Sequence, residues 1–461
     1  MLKLGIWGEK AVVEFTSTPR DSYDFSGLKL DSARDKSLSH RALIFAALAS
    51  GGQSRIKNCL QSDDVQMTIN CLKKMNTTIK CEGDLMIVNG GGETLHAPRE
   101  VLHCGNSGTT IRLLLGVVSG LNIDAKFDGD SSLRKRPMKR VIDPLNFWGA
   151  KISDNPDSSE GYFIEAAERS GKQLDEGAER IDSSEKEWRL EIASAQIKSA
   201  LLFYSLLNSE TSVTDYRLCG MLKSRDHTEK FLQHFLPDLI DVNDQEIILK
   251  AGEKKIPSFD FQVPKDPSSL AFFIALYTVK GRGQWTVEDC LKNPRREGFL
   301  RAVKKMGLSI TESDLDSSGI EETVTLNFTP TVNLNAIKIE AHEIPDLIDE
   351  LPILALLATQ AEGESVFCGV DELRHKESDR VAAITHNLKL LGADVVCQGS
   401  TLRIFGKSQL KKSSLDSFGD HRIVMMNAIA AHISSESVMV KDAELAKISY
   451  PKFWEDLKCL I

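Results

Sequence analysis

The sequence lacks most features of membrane, secreted and metal-binding proteins. Its nine cysteines, from Cys59 to Cys459, are scattered singly, with no CxxC pair and no Cys/His cluster at zinc-ligand spacing. We therefore interpret them as reduced thiols. The most apolar run, "LPILALLATQA", is too short to span a bilayer, and "MLKLGIWGEKAVVEF" has no long apolar core. We expect a cytoplasmic protein that has no membrane partner.

Nucleotide-binding signatures and a broad basic face are also missing. The stretch "CGNSGTTIRLLLG" has neither the lysine of a P-loop nor the G-x-G-x-x-G spacing of a dinucleotide-binding turn. The formal net charge is -9, which argues against nucleic acid as a partner. Any phosphate site must therefore be built locally from a few convergent cations.

The length and composition favour a globular protein with more than one core. The chain has 461 residues, of which 41% are hydrophobic and 27% are charged. A chain of this size is expected to form two domains of roughly 200 residues each. Extensive disorder is not expected at this composition.

Six stretches share one pattern: a small or polar opening, an apolar helical run, a polar break and a strand-like alternation. They recur at intervals of roughly 70 to 90 residues, longer than the period of common solenoids. The stretches are "SHRALIFAALASGGQSRIKN", "GTTIRLLLGVVSGLNIDAKF", "SAQIKSALLFYSLLNSETSVTDY", "DPSSLAFFIALYTVKGRGQWTV", "DELPILALLATQAEGESVFCGV" and "GDHRIVMMNAIAAHISSESVMV". Each is expected to open a small αβ module.

Most of these modules continue with a second, amphipathic helix. One example is "SDRVAAITHNLKLLGADV", in which apolar residues recur at helical spacing. Six modules suggest two domains of three, although the alternation alone would also fit a simpler α/β protein. The polar openings expose unpaired backbone N–H groups at helix starts, which favours anion binding.

Three groups of cations are candidates for an anion site. "DKSLSHRAL" places Lys36, Ser37 and Arg41 at a helix start, although a serine N-cap with solvated cations would look the same. "GDSSLRKRPM" holds Arg136 in a charge run of a kind that is usually a solvated face. In "RHKESDR", Lys376 and Arg380 would face the same way on a helix.

Carboxylates and a further arginine complete the candidate chemistry. "IPDLIDELP" offers Asp346, Asp349 and Glu350 at the start of an apolar helix, where helix capping alone could explain them. A carboxylate beside several cations would stay ionised and could act as a general base. "GDHR" places His421 and Arg422 before another apolar helix.

These motifs together resemble one family, 5-enolpyruvylshikimate-3-phosphate synthase, also called 3-phosphoshikimate 1-carboxyvinyltransferase. The resemblance extends over nearly the whole chain, and the motifs occur in the order of that family. They are "DKSLSHRA", "GNSGTTIRLL", "SLRKRPM", "SAQIKSALL", "SRDHTE", "LIDELP", "ELRHKESDR" and "GDHR". Chance would not place eight such motifs in this order.

The resemblance implies an α/β (α+β) fold with two domains, each of three βαβαββ-type repeats, known as an inside-out α/β barrel. The implied domains are residues 34–264 and residues 1–33 plus 265–461, with the active site in the interdomain cleft. The implied reaction transfers the enolpyruvyl group of phosphoenolpyruvate to the 5-hydroxyl of shikimate 3-phosphate and releases phosphate. No metal or organic cofactor is implied. A monomer and inhibition by glyphosate are expected.

The family's functional residues can be carried over where the motifs match. Shikimate 3-phosphate would bind Lys36, Ser37, Arg41, Ser194, Ala195, Gln196, Ser224, Asp349 and Lys376. Phosphoenolpyruvate would bind Lys36, Gly108, Arg136, Gln196, Arg380 and Arg422. The catalytic groups would be Asp349, Lys36, Glu377 and Lys376, with Asp349 as the base and Glu377 near the methylene carbon.

Four positions depart from the family pattern. Arg34 stands where a glycine is usual, and Lys265 replaces the glycine expected in "KDPSS"; both lie near the implied crossovers. Ala195 stands where some members have a second serine, so that only a backbone contact is expected. Lys447 is one residue away from the usual C-terminal lysine.

Two other functions remain open at this point. A UDP-N-acetylglucosamine enolpyruvyl transferase would share the fold, but it uses a loop cysteine, and "FDGDSSLRKRPMKR" contains none. A non-catalytic anion-binding protein would retain the cations without turnover. The presence of both Asp349 and Glu377 argues against that second alternative.

Overall fold

The computed structural model describes residues 2–7, 10–15, 20–30, 33–91, 95–155, 161–167, 185–208, 214–331 and 333–460. Residues 209–213, in the third predicted repeat, lie outside this description. The chain divides into two compact units. The middle unit is Ser37–Val263, and the terminal unit combines Met1–Lys36 with Pro264–Ile461.

Helices and strands alternate along the described residues. The α-helices are α1 (Lys36–Leu48), α2 (Asp63–Lys74), α3 (Gly108–Gly120), α4 (Lys139–Phe147), α5 (Ala195–Leu207), α6 (His227–Phe235), α7 (Pro267–Lys280), α8 (Gly298–Met306), α9 (Leu351–Ala358), α10 (Arg380–Leu390), α11 (His421–Ile433) and α12 (Phe453–Lys458). Short 3-10 helices cover Leu133–Lys135, Ile344–Asp346, Val370–His375 and Ala443–Ile448. The strands are β1 (Leu2–Trp7), β2 (Lys10–Phe15), β3 (Tyr23–Asp24), β4 (Gln53–Lys57), β5 (Thr78–Glu82), β6 (Leu85–Asn89), β7 (Leu102–His103), β8 (Ala125–Asp128), β9 (Ile152–Asp154), β10 (Ile164–Ala166), β11 (Glu185–Leu190), β12 (Asp215–Gly220), β13 (Ile240–Val242), β14 (Glu246–Leu249), β15 (Asp260–Gln262), β16 (Gly281–Arg282), β17 (Trp285–Lys292), β18 (Ser309–Asp316), β19 (Glu322–Thr329), β20 (Lys338–Ile339), β21 (Gly363–Cys368), β22 (Asp394–Gln398), β23 (Thr401–Gly406), β24 (Ser413–Leu415) and β25 (Val438–Lys441).

The middle unit contains three four-stranded sheets with one topology. Their strand orders are β15-β4-β6-β5, β7-β8-β10-β9 and β11-β12-β14-β13. In each sheet the first two strands are parallel and the remaining pairs are antiparallel. In the second and third sheets, a helix joins the parallel strands and a second helix leads to the antiparallel hairpin. This chain order is the βαβαββ unit that the family resemblance implies, and it contains the αβ module that the repeat predicted.

The terminal unit repeats this topology. The sheet β20-β21-β23-β22 has the same parallel and antiparallel pairs, with α9 and α10 as its helices. In the sheet β1-β2-β25-β24, the N-terminal hairpin supplies the two antiparallel strands. The sheet β17-β19-β18 receives a parallel bridge from Lys265 to Cys290. The predicted fold class is therefore confirmed.

The first helix of each repeat forms the core of its unit. Every residue of α9 and α11 is buried, and only two residues at the C-terminal end of α7 are not. Helices that are apolar on all sides need burial on all sides. Helices α3 and α5 approach so closely that a Cβ at Gly116 would lie 2.1 Å from the carbonyl oxygen of Ala200. The second helices are amphipathic and bury one face, as the pattern predicted.

Within the described residues, no helix combines the length and the apolarity needed to cross a bilayer.

The buried His432 in α11 makes the stability of the terminal unit depend on pH. Its Nδ1 is 2.8 Å from the Tyr23 hydroxyl, and burial, with help from Lys280 and Arg20, lowers its pKa from 6.5 to about 4. The unfolded chain therefore binds this proton more readily, and stability falls as the pH decreases from 6.5 towards 4. We expect a loss of about 3 kcal/mol in the free energy of unfolding over this window.

Urea unfolding of the wild type and of His432→Gln at a series of pH values measures this effect. The variant should show a shallower dependence between pH 6.5 and 4 because Gln does not titrate. An unchanged slope would show that other groups cause the acid sensitivity.

Candidate active site

In the middle unit, the start of α1 is tied to α5 and α6 by a buried arginine. Arg41 is 2% exposed, and its Nε donates to Thr228 Oγ1 at 2.8 Å, while Nη2 donates to Ser199 Oγ at 2.7 Å. Its Nη1 donates to the carbonyl of Ser37 at 3.0 Å. The Ser37 hydroxyl accepts from Arg225 Nη1 at 3.3 Å. The two predicted residues thus lie together, with a second arginine beside them.

The start of α5 carries three predicted residues. Ser194 is the N-cap, with its Oγ accepting from the N–H of Ile197 at 3.4 Å, and Ala195 is the first helical residue. The Gln196 side chain bridges to α3, accepting from Arg112 Nη1 at 2.7 Å and donating to Thr109 Oγ1 at 2.9 Å. The amide of Gln196 is therefore fixed in direction before any ligand binds.

Gly108, the first residue of α3, lies against two guanidinium groups. A Cβ at this position would be 2.6 Å from Arg112 Nη1 and 3.0 Å from Arg136 Nη1. Arg136 is 8% exposed and donates to Asn106 Oδ1 at 2.5 Å. A helix start without a side chain and with two adjacent arginines suits an anion.

The loop before α6 carries a buried hydroxyl group. Ser224 is 4% exposed, and its Oγ has no hydrogen-bond partner among the described residues. The buried Lys198 donates to the carbonyls of Leu222 at 3.0 Å and Ser224 at 3.3 Å and pairs with Glu229 at 2.6 Å. Burial raises the pKa of Glu229, while Lys198 lowers it. The ion pair fixes the backbone that carries Ser224.

In the terminal unit, one buried arginine binds three carboxylates. Arg380, 1% exposed, donates from Nη1 to Asp349 at 3.1 Å, from Nη2 to Glu377 at 2.7 Å and from Nε to Asp420 at 2.8 Å. Burial would lower the Arg380 pKa, but these carboxylates, Asp420 above all, raise it. Two predicted catalytic carboxylates therefore lie on one permanently charged guanidinium.

Lys376 also approaches Asp349. Its Nζ is 3.6 Å from Asp349 Oδ1. The side chains of Lys376 and Asp349 remain 30% and 17% exposed, so a substrate can reach both. A cation next to a candidate base is positioned to hold a hydroxyl whose proton is about to leave.

The terminal unit also holds the predicted Lys36, at the start of α1, and Arg422, at the start of α11. Arg422 is 3% exposed and donates to the carbonyl of Ser268 at 3.1 Å. Burial and the charge of Lys36 lower the pKa of His421 well below its ordinary value, although Glu377 opposes them. His421 is therefore neutral near pH 7, and Lys36, Arg380 and Arg422 carry the positive charge.

The structure corrects two local expectations. Lys376 and Arg380 do not share a helix, because Lys376 directly follows the 3-10 helix Val370–His375 and Arg380 begins α10. Asp349 and Glu350 precede α9, whereas Asp346 lies in a separate 3-10 helix and pairs with Arg301 at 2.6 Å.

Three neighbours of the predicted residues were missed. Arg112 lies one helical turn beyond Gly108, Asp420 directly precedes His421, and Ser268 stands in "KDPSS". The spacing from Gly108 to Arg112 was the available signal for the first, because residues four apart share a helix face.

Lys447 lies in a 3-10 helix, and Ala443 and Ala446 are that helix's buried residues. No cluster of three or more His, Cys, Asp or Glu residues within the described ranges could hold a metal ion.

Comparisons with known proteins agree on one family. Residues 29–457 match the family model described as EPSP synthase (3-phosphoshikimate 1-carboxyvinyltransferase). The chain is 39% identical over 430 residues to the 3-phosphoshikimate 1-carboxyvinyltransferase of Persephonella marina, covering 93% of this chain and 95% of the relative. It is 38% identical over 428 residues to the protein of that name from Bacillus anthracis, covering 92% and 95%.

Solved structures have the same fold. EPSP synthase from Acinetobacter baumannii aligns with a TM-score of 0.79 and 30% identity, over 95% of this chain and 96% of that one. The enolpyruvyl transferase NikO from Streptomyces tendae aligns with a TM-score of 0.67 and 16% identity, over 97% and 96%. At that identity, the second likeness concerns the fold alone.

Proposed function

Because the chain belongs to the EPSP synthase family, we propose that residues of both units act on one pair of substrates, phosphoenolpyruvate and shikimate 3-phosphate. The reaction transfers the enolpyruvyl group to the 5-hydroxyl of shikimate 3-phosphate and releases inorganic phosphate. The observation that carries the assignment of roles is Arg380, whose guanidinium holds Asp349 and Glu377 side by side.

The middle unit supplies most of the groups for shikimate 3-phosphate. The phosphate and the ring hydroxyls of this substrate would bind one guanidinium group, that of Arg41, and three hydroxyl groups, those of Ser37, Ser194 and Ser224. The buried Ser224 Oγ supports this role because a ligand oxygen would satisfy it. From the terminal unit, Lys36, Lys376 and Asp349 would reach the same substrate.

Phosphoenolpyruvate carries a phosphate and a carboxylate, and both suit arginine forks. Arg136, Arg380 and Arg422 would bind these groups, since each is buried and its guanidinium is already oriented by hydrogen bonds. Gly108 leaves room for an anion at the start of α3, and Gln196 would bridge the two substrates.

The chemistry needs one acid and one base, and each acts twice. Protonation of the methylene carbon, with Glu377 as the nearby acid, makes the adjacent carbon electrophilic. The 5-hydroxyl attacks that carbon as its proton passes to Asp349, which gives a tetrahedral ketal phosphate. Phosphate then leaves as Asp349 returns its proton to it, and the carboxylate of Glu377 takes a methyl proton, which restores the double bond. Lys36 and Lys376 stabilise the negative charge that develops on oxygen.

Phosphate release from phosphoenolpyruvate in the presence of alternative acceptors tests this function. Shikimate 3-phosphate should support turnover, and UDP-N-acetylglucosamine should not. Turnover with the nucleotide sugar would identify the other enolpyruvyl transfer, and no release with either acceptor would contradict catalysis.

Glyphosate is expected to compete with phosphoenolpyruvate, because its phosphonate and carboxylate are anionic like the phosphate and carboxylate of phosphoenolpyruvate. In the wild type it should raise the KM for phosphoenolpyruvate. Gly108→Ala would place a methyl group 2.6 Å from Arg112 Nη1 and 3.0 Å from Arg136 Nη1, where the anion is proposed to bind, so we expect glyphosate and phosphoenolpyruvate both to bind about tenfold more weakly. Steady-state rates at several concentrations of both compounds measure this. Turnover unaffected by a large excess of glyphosate would contradict the expectation.

We further propose that the protein is a cytoplasmic monomer. All nine cysteines are free thiols, which is consistent with a reducing compartment.

A further inference from the structure

Arg296 forms a buried charge cluster that the proposed mechanism does not use. It lies just before α8 and is 3% exposed. Its Nη1 donates to Asp35 Oδ2 at 2.5 Å, and its Nη2 donates to Asp266 Oδ1 at 2.6 Å and to Ser268 Oγ at 3.1 Å. Burial would lower the Arg296 pKa, but Asp35, Asp266 and Glu350 raise it. The guanidinium therefore stays charged.

The first connection of Arg296 leads to Lys36. Asp35 is fully buried and directly precedes Lys36, and its N–H donates to the carbonyl of Pro264 at 2.9 Å. The N–H of Asp266 donates back to the carbonyl of Ala33 at 3.1 Å. The two chain segments are thus paired, and Arg296 bridges their carboxylates. The backbone from which Lys36 extends is fixed by this bridge.

The second connection leads to Arg422. Its Nη1 donates to the carbonyl of Ser268, whose hydroxyl and N–H are held by Arg296 and Asp266 respectively. Asp266 is also the N-cap of α7. The guanidinium of Arg296 therefore orients Ser268, and Ser268 in turn orients Arg422.

We propose that Arg296 is a positioning residue for phosphoenolpyruvate, which holds Lys36 through Asp35 and Arg422 through Ser268 without touching substrate. The inference rests on the proposed function. A cluster with only a structural role would lower stability and leave the kinetics of the folded enzyme unchanged. A positioning role predicts instead a defect that is selective for one substrate.

Arg296→Lys keeps the charge but cannot bridge two carboxylates with a planar fork. Below its melting temperature, the KM for phosphoenolpyruvate should rise at least about tenfold, because displaced binding groups lose geometry. The KM for shikimate 3-phosphate should change much less, since Lys36 is only one of its many proposed contacts and Arg422 is not among them.

Arg34→Met is the matched control. Arg34 lies in the same segment and pairs with Asp289, whereas Ser268 is hydrogen-bonded to Arg296, Asp266 and Arg422. The control should therefore leave the KM for phosphoenolpyruvate near the wild-type value. An equal rise in the control would show that the segment, not Arg296, matters.

Asp266→Asn tests the same bridge while retaining Arg296 and the side-chain volume, and it decides the question if Arg296→Lys does not fold. An unchanged KM for phosphoenolpyruvate in either folded variant would overturn the inference, as would equal increases for both substrates.

Wild-type turnover in the same assay separates the proposed function from the inference about Arg296. Its absence would overturn the proposed function and the inference together, whereas normal turnover confines the failure to Arg296.

Discussion

Asp349→Asn is expected to lower kcat by about a hundredfold to ten-thousandfold, because it removes the group that we propose takes the proton of the attacking hydroxyl. The amide keeps the shape of the side chain and can still accept from Arg380, which lies 3.1 Å away. The dissociation constant of shikimate 3-phosphate, measured by calorimetry, should therefore change less than about tenfold. Comparable losses in kcat and affinity would mean that Asp349 mainly anchors substrate.

Asp346→Asn is the matched control for this prediction. The residue lies in the same stretch of sequence but pairs with Arg301 outside the proposed set of catalytic residues. Its replacement should leave kcat near the wild-type value. A large loss of kcat in this variant would show that the aspartates act through local structure instead of proton transfer.

Arg380→Met is expected to abolish turnover and to destabilise the terminal unit. The substitution leaves Asp349, Glu377 and Asp420 without their shared cation, and Asp420 is fully buried. Removing one partner of a buried ion cluster typically costs about 3–5 kcal/mol in the free energy of unfolding. Urea unfolding measures the loss of stability, and phosphate release measures the loss of activity.

Arg374→Met is the control that distinguishes the loss of a buried cation from the loss of an exposed one. Arg374 belongs to the same cation-rich stretch and pairs with Asp379 at 3.3 Å, but its side chain is 34% exposed. Exposed pairs contribute about 0–1 kcal/mol, so this variant should unfold almost like the wild type. Equal destabilisation by both substitutions would contradict the central place of Arg380 in the cluster.

Features encoded in short, contiguous segments could be predicted from the sequence. The apolar first helix of each repeat follows from local hydrophobic pattern, and the structure places α1, α3, α5, α7, α9 and α11 in the predicted stretches. Polar helix starts follow from capping preferences, as with Ser194 before α5. Most of the candidate site consists of such starts, and for this reason its residues could be named by motif.

Contacts between distant segments could not be predicted in this way. Arg296 meets Asp35 across 261 positions, and no local pattern links them. Strand β2 of the N-terminal hairpin pairs with β25, which lies near the other end of the chain, so that no short segment of sequence indicates the pairing. Lys376 and Arg380 meet at Asp349 although they do not share a helix, since the chain turns between a 3-10 helix and α10. Helical spacing was therefore the wrong reason for their proximity.

We propose above all that cations from the two units bind the same phosphoenolpyruvate molecule. The most direct test is the KM for phosphoenolpyruvate in Arg136→Lys, from the middle unit, and Arg422→Lys, from the terminal unit. Each substitution keeps the charge but loses the bidentate fork, so each should raise this KM at least about tenfold. A KM at the wild-type value in either variant would contradict a site shared by both units.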